Sequence, residues 1–348
     1  FLQCSLHENI KSLTNASIKS AKREGGEWRV EISVAPTCVD IEKCTDCGGC
    51  EAVCPVEVKR EFGEGLETRK AVYRHYPKSV AKGYVVDAVN CTRCGECVKA
   101  CKSGAIDLDA KGLEISESGA AVILATGAEL FTVSGKGEFG AGRYPNAISA
   151  VKFERMLSFG SPSLGMPVCP KDGKTPDSIA FIQCVGSRDP ALGRSHCSSV
   201  CCMFTLKQAL FAKERLPKAK ITVYYMDLRA FGKDYEEYIE KAKAAGIEFV
   251  RAMPSLLRQS PLDGSIEITV SRQGSLSTES HSLAVLAGGF GQGEEAKALC
   301  ASLGLQISQN GFACGEFTPC ESGVEGLLPG AFSPLEAPAE GVSGVRGG

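Results

Sequence analysis

Cys44-Thr45-Asp46-Cys47-Gly48-Gly49-Cys50-Glu51-Ala52-Val53-Cys54-Pro55 is repeated in spacing by Cys91-Thr92-Arg93-Cys94-Gly95-Glu96-Cys97-Val98-Lys99-Ala100-Cys101-Lys102. Both runs read C-x2-C-x2-C-x3-C. Four thiolates must converge on the corners of an iron–sulfur cube. Three come from a short loop wrapping one face, and the fourth comes from a distant segment. In two-cluster ferredoxins the fourth cysteine of each run ligates the other cluster. The spacing therefore predicts one [4Fe–4S] cluster on Cys44, Cys47, Cys50 and Cys101, and a second on Cys91, Cys94, Cys97 and Cys54. Zinc sites instead take cysteine pairs separated by a long spacer, and a disulfide framework belongs to small secreted chains. The chain is expected to move electrons.

The 348 residues leave room for two or three domains, each with its own core. A net charge of −2 suggests neither nucleic acid nor an anionic membrane as partner. Eighteen cysteines, eight already given to metal, and no secretory signal fit a reducing cytoplasm. The apolar runs Ala120–Thr126 and Ser282–Ala287 are strand-sized, far below a membrane span, so any membrane link is expected to come through a partner. Phe1 at the start and Gly347–Gly348 at the end look like cuts from something longer.

Around the cysteine runs, Ser17–Ala35 alternates about Gly25–Gly26 as a β-hairpin. The ferredoxin-like unit follows from about Cys38 to Leu108, its halves joined by the basic stretch Lys59–Lys82. That stretch is expected to be a solvated loop, with a docking surface for an acidic redox partner as the alternative. Ala120–Gly127 has the pattern of a buried parallel strand. Ser178–Gln183, Ser199–Arg215, Lys220–Met226, Lys233–Ala245 and Ile247–Arg251 read β-α-β-α-β, half of a doubly wound nucleotide-binding domain. A hairpin of Ser265–Arg272 and Ser280–Ala287 is expected next, and loops from Gly288 to the end.

A dinucleotide pyrophosphate needs bare backbone, hence G-x-G-x-x-G after the first strand. Here the turn is Gln183–Cys184–Val185–Gly186–Ser187–Arg188, with a single glycine. Cys184, Cys197, Cys201 and Cys202 occupy the region that would hold phosphate. Buried thiols, a redox-active disulfide and a further cluster all remain open on spacing alone.

Three stretches resemble the A subunits of heterodisulfide reductases: Phe181–Asp189, Cys197-x3-Cys201–Cys202–Met203 and Tyr225–Lys233. The resemblance runs essentially end to end. It implies an α/β, thioredoxin-reductase-like flavoprotein with two dinucleotide-binding domains and an inserted 2[4Fe–4S] ferredoxin domain. The implied layout is a partial FAD domain at 1–37, the ferredoxin insert at 38–110 and more of the FAD domain at 111–170. An NAD-domain-like unit carrying cluster cysteines would follow at 171–290, and the C-terminal part of the FAD domain at 291–348.

By the same resemblance Cys184, Cys197, Cys201 and Cys202 hold a third [4Fe–4S] cluster. Ala125, Thr126, Gly127, Gly330, Ala331 and Phe332 belong to the FAD site, whose opening strand and G-x-G-x-x-G would lie upstream of Phe1. The implied activity is an oxidoreductase passing electrons between flavin and clusters, with bifurcation among the family's reactions. The implied setting is a hetero-oligomer with iron–sulfur and hydrogenase- or dehydrogenase-linked subunits.

Two local departures bear on this. Gly330–Ala331–Phe332 lacks the Asp that often follows Ala-Gly near a flavin. Pro334–Leu335–Glu336–Ala337 stands where A subunits commonly read Pro-Lys-Asp-Ile. A lysine near a flavin can stabilise a reduced, anionic ring. Its loss makes a component of the quinone-interacting membrane-bound oxidoreductase the first alternative. A self-contained NAD(P)H-dependent flavin disulfide reductase and a flavin-free wiring module are the others. Cys4, Cys38, Cys169, Cys300, Cys314 and Cys320 are expected to be structural, with Cys314 and Cys320, which flank Phe317 near the expected flavin, as the first exceptions; the four histidines are scattered. Nothing in the chain argues for hydrolysis.

Overall fold

A computed structural model describes residues 2–5, 7–75, 83–230, 232–272, 274–308, 312–314 and 327–329. Gly330, Ala331 and Phe332, residues 333–337 and Cys320 lie outside the described residues. The chain divides into two compact units, Phe1–Val122 and Ile123–Gly348.

In the first unit, strands Ala16–Glu24 and Glu27–Val34 form the expected hairpin, and Leu113–Gly119 adds a third antiparallel strand. Gly25 and Gly26 both have positive φ (63° and 91°), the requirement of a two-residue turn that matches strand twist. The cysteine runs follow the same path twice. Each first loop ends in a left-handed glycine, Gly48 or Gly95, and enters a short helix, Gly49–Val53 or Glu96–Ala100. The apolar core of this region gathers Val39, Ala71, Val72, Val86, Ala105 and Ile106 with Cys50, Cys54 and Cys97.

The basic stretch is not simply solvated. Thr68–Lys70 pairs with Glu57–Lys59, and Val72–Tyr73 pairs with Val85–Val86. The Arg69 side chain is 2% exposed, because Glu61 and Asp87 neutralise it and the Tyr73 ring lies 3.7 Å beneath its guanidinium.

The second unit is built on a five-stranded parallel sheet. Its order is Ala147–Ser149, Leu283–Gly288, Ser178–Val185, Lys220–Tyr224, Glu248–Val250. Helices Cys201–Arg215 and Tyr235–Ala244 complete the expected β-α-β-α-β passage. Phe181 of the central strand meets Phe153 of helix Ala150–Leu157 edge-on, with ring centroids 5.4 Å apart.

Three expectations change. The hairpin pairs Ile266–Arg272 with Ser275–His281, and not with 280–287. Leu283–Gly288 is buried on both faces, so it takes an inner place in the parallel sheet instead. Ser275–His281 is polar and half exposed, which hides its strand character in the sequence. Gly288 onward is not all loop, since Glu294–Ser302 is a helix. The strand near Ala120–Gly127 shrinks to Val122–Leu124, and Ile123 is 66% exposed, so it is not the buried parallel strand expected.

Candidate iron–sulfur and flavin sites

The two ferredoxin loops are shaped by matching backbone. Asp46 and Arg93, each two residues past the first cysteine, have φ of 57° and 55°, and Gly48 and Gly95 have 76° and 78°. Such left-handed residues turn successive N–H groups inward, the nest geometry that receives anionic sulfur. The Arg93 N–H donates to Cys91 Sγ at 3.3 Å. The Gly49 N–H and then the Thr45 hydroxyl lower the Cys47 thiol pKa.

Asp40 and Asp87 hold the same place before the two runs, a match visible in the spacing although neither is a ligand. Each accepts the N–H groups two and three residues on, and its carbonyl receives the N–H of Cys44 or Cys91.

Sulfur proximity is crossed between the runs. Burial pushes the Cys50 thiol up to about 11, with Cys44 and Cys101 adding to the rise. Cys101 also acts on Cys47. Cys97 is raised by burial first, with Cys91, Cys94 and Cys54 all close enough to contribute. The structure thus brings Cys101 to the Cys44–Cys50 loop, and Cys54 to the Cys91–Cys97 loop. Cys101 is held low by the Ser103 hydroxyl and by the Ala105 N–H, which donates to its Sγ at 3.3 Å. These are groups that favour thiolate and therefore iron.

The third cysteine set lies where the strand Ser178–Val185 ends and the helix Cys201–Arg215 begins. Cys184 has φ of 59° and breaks the strand alternation, and Ser199 at 59° bends the chain into the helix. Cys184, Cys201 and Cys202 form one buried cluster. Hydrogen bonds from Cys184 and Cys202 hold the Cys201 pKa well below the usual thiol range, with help from Ser198. The same bond to Cys201, together with burial, pushes the Cys184 and Cys202 thiols up, and Cys197 is close enough to raise both. Packing thiols this densely favours exchange of their protons for metal. Among the described residues, no three His, Cys, Asp or Glu groups are arranged for a single metal ion. A four-iron cube asks for a wider spread of sulfurs than one ion does.

Three residues beside this set are not evident as site residues from sequence. Arg188 Nη1 donates to Asp227 Oδ1 at 2.5 Å. Arg229 donates its backbone N–H to Cys202 Sγ at 3.5 Å, and its Nε lies 3.5 Å from Asp227. They fall inside Phe181–Asp189 and Tyr225–Lys233, two of the stretches that carry the family resemblance, and that is the one signal that points to them.

The single glycine of the rebuilt turn has another use. Gly186 is left-handed, and a Cβ there would lie 2.1 Å from the Phe131 ring. Phe131 fills the space against the backbone, and Arg194 lies over its ring at 5.2 Å. Of the expected flavin residues, Ala125, Thr126 and Gly127 form an exposed, irregular stretch, and Gly127 (φ 74°) has open space on its Cβ side. Cys38, Cys169 and Cys300 are buried outside the predicted ligand sets, and Cys4 is exposed.

Residues 43–106 match the family model of a 4Fe-4S dicluster domain. The iron-sulfur A subunit of the CoB–CoM heterodisulfide reductase of Methanocaldococcus jannaschii is 39% identical over 309 residues, covering 88% of this chain and 47% of that one. One of the corresponding A subunits of Methanopyrus kandleri is 37% identical over 348 residues, covering 98% and 53%. The chain belongs to the heterodisulfide reductase A-subunit family. It spans about half the length of the curated relatives it matches. Among solved structures, T. acidophilum thioredoxin reductase aligns with 95% of this family member and 69% of its own chain, at 11% identity and a TM-score of 0.42. Among the described residues no helix is long and apolar enough to cross a membrane.

Proposed function

We propose that this chain is the electron-conducting part of an oxidoreductase subunit that binds FAD and three [4Fe–4S] clusters. It would work inside a heterodisulfide-reductase-like complex with other iron–sulfur and dehydrogenase- or hydrogenase-linked subunits. The carrying observation is the crossed convergence of Cys101 on the first cysteine loop and Cys54 on the second. Two further features support it: the buried cluster of Cys184, Cys201 and Cys202 with the half-buried Cys197 beside it, and the family's A-subunit relatives.

Bound there, the clusters supply one-electron transfer and the flavin exchanges electron pairs with single electrons. The chain's own residues do the holding. Left-handed loop residues aim N–H groups at sulfur, the Arg229 backbone N–H donates to Cys202, and the Arg188 charge acts on Cys184 and Cys197. Ala125–Gly127, with Gly330–Phe332, would line the flavin. The domain layout follows the resemblance, with the ferredoxin insert at 38–110 inside the flavin domain.

A self-contained NAD(P)H reductase is the weaker reading, because Phe131 fills the position where the turn at Gly186 would meet a pyrophosphate. The test is anaerobic iron, sulfide and flavin quantification on the full-length protein. Cys201→Ser is expected to remove about four irons per chain, the content of one cube. The three sites of this chain together account for about twelve. Unchanged iron in Cys201→Ser refutes the third site. Rapid bleaching of the flavin by NADH alone, in the isolated protein, refutes the wiring role. Absence of FAD leaves a cluster-only module.

A further inference from the structure

The buried cysteine set is flanked by a compact group of charges that no ligand role explains. Arg188 lies four residues past Cys184, in the turn leaving the strand, and Asp227 and Arg229 come from the loop after strand Lys220–Tyr224. Asp227 receives Arg188 Nη1 at 2.5 Å and sits 3.5 Å from Arg229 Nε. The same loop touches sulfur directly: Arg229 N–H donates to Cys202 Sγ at 3.5 Å, and the Asp227 carbonyl lies 4.0 Å from it. Arg188 in turn acts electrostatically with Cys184 and Cys197. Two cations and one anion thus clasp the set, leaving one net positive charge.

We infer that Arg188, Asp227 and Arg229 form a charge clasp that sets the reduction potential of a cluster bound by Cys184, Cys197, Cys201 and Cys202. The inference rests on the proposed third cluster. The physical reason is charge accumulation. Reduction adds one electron to a group already carrying four thiolates, and no bond to protein forms or breaks. Cys184, Cys201 and Cys202 are buried, whereas the Arg188, Asp227 and Arg229 side chains are 24%, 41% and 39% exposed, so solvent screens their fields in part; the added negative charge is still favoured by a nearby cation and opposed by a nearby anion. Arg188 and Asp227 therefore pull the potential in opposite directions. They are positioning residues and do not ligate iron.

Their bond also explains why a short side chain and a long one are paired here. Asp227 ties the guanidinium down beside Cys184 and Cys197 while taking away part of its field. Removing Asp227 should leave both arginines unneutralised and make reduction easier. Removing the charge of Arg188 should leave Asp227 facing the sulfurs with only Arg229 as counter-charge.

The experiment is a mediator-equilibrated dithionite titration of the full-length protein, followed by EPR, with iron counted on every sample. The signal missing from Cys201→Ser identifies the relevant cluster. Arg188→Gln is expected to lower that cluster's potential, so that at a fixed ambient potential its reduced-to-oxidised ratio falls about tenfold, 59 mV for one electron. Asp227→Asn is expected to raise it. Arg188→Lys, which keeps the charge, should stay near wild type, and iron should hold in all three.

Shifts of the same sign in Arg188→Gln and Asp227→Asn overturn the clasp, because general loosening of the site would act that way. So does an unshifted potential with iron retained, or loss of about four irons in Arg188→Lys as well as Arg188→Gln. If Cys201→Ser loses no iron and no signal, the third cluster itself is refuted and the clasp falls with it. That result is distinguishable from the others because it appears before any arginine is changed.

Discussion

The duplicated loops of the first unit and the cysteine set of the second receive sulfur in contrasting ways. In the loops the cysteines are neighbours in sequence, and the chain bends with the same pair of left-handed positions each time. Cys47 and Cys94 lie at the exposed rim, and Cys50, Cys54 and Cys97 are buried. Backbone N–H groups and small hydroxyls, from Gly49, Thr45, Ser103 and Ala105, supply the stabilisation. In the second unit the sulfurs come from a strand end, a loop and a helix start, and Cys184, Cys201 and Cys202 are buried together. Side-chain charges, Arg188 and Asp227, stand close by. A loop nest fits a site that exchanges electrons at a surface. A buried set needs counter-charge, because desolvation raises the cost of every added electron.

The largest effect that can break this contrast concerns the crossing between loops. If Cys101 serves the Cys44–Cys50 loop, Cys101→Ser should abolish or transform the EPR signal that Cys47→Ser also removes. It should leave the signal that depends on Cys94. Cys54→Ser should do the reverse. Each loss should take about four irons with it. Signals that instead follow each run as a self-contained unit would sink the crossed assignment and the functional reading built on it.

A smaller effect separates the two halves of the ferredoxin unit. Asp87 is tied to Arg69, whose side chain is 2% exposed, whereas Asp40, at the matching position, is tied to the solvent-facing Lys43. Hydrogen bonds to Glu61 first, and then to Asp87, keep Arg69 charged despite its burial. Removing one partner of a buried pair leaves an uncompensated charge, worth about 3 kcal/mol. Arg69→Met should therefore lower the unfolding midpoint and loosen the Cys91 loop first, seen as lost amide protection at Val89–Cys91. Lys43→Met should leave stability nearly unchanged, as surface pairs do. Equal effects would mean that the repeat is supported symmetrically and that Arg69 has no special part.

How much of this is legible in the sequence depends on how far apart the cooperating residues are. The ferredoxin loops are readable because ligand spacing is local and repeated. The exchange of Cys54 and Cys101 between the loops is an expectation carried over from two-cluster ferredoxins, and it stands as part of the proposal. The parallel strands Ser178–Val185 and Lys220–Tyr224 show as apolar runs buried on both faces. Leu283–Gly288 carries the same signal, yet it reads as half of a hairpin because the true partner of Ile266–Arg272, the polar Ser275–His281, is invisible to apolar periodicity. Arg69 looks like part of a basic loop because charge alone does not reveal the carboxylates that neutralise it. Arg188 and Asp227 lie 39 positions apart. Only the fold brings that pair together beside the cysteines.

The smallest effect contrasts a buried cation in the first unit with a buried neutral base in the second. His281 ends the strand Ser275–His281, and its Nε2 lies 3.1 Å from the Tyr224 hydroxyl, which donates to Glu279. Burial first, and then Lys220, push its pKa down to about 4, although Glu279 and Glu248 pull the other way. The unfolded chain takes up a proton near pH 6.5, and the folded chain does so only near 4, so the unfolded state binds more protons between these values. The contribution of a neutral His281 is complete above about pH 6.5 and is lost as pH falls toward 4, by about 3 kcal/mol at most. Hydrogen exchange across Ile266–Arg272 and Ser275–His281, corrected for intrinsic rates, should show protection falling between about pH 7 and about pH 4.5 in the wild type. His281→Gln keeps a polar partner for Tyr224 but cannot titrate, so its protection should change less over that range. An equal decline in both would assign the pH sensitivity to carboxylates elsewhere and leave the neutral base no part in holding the hairpin.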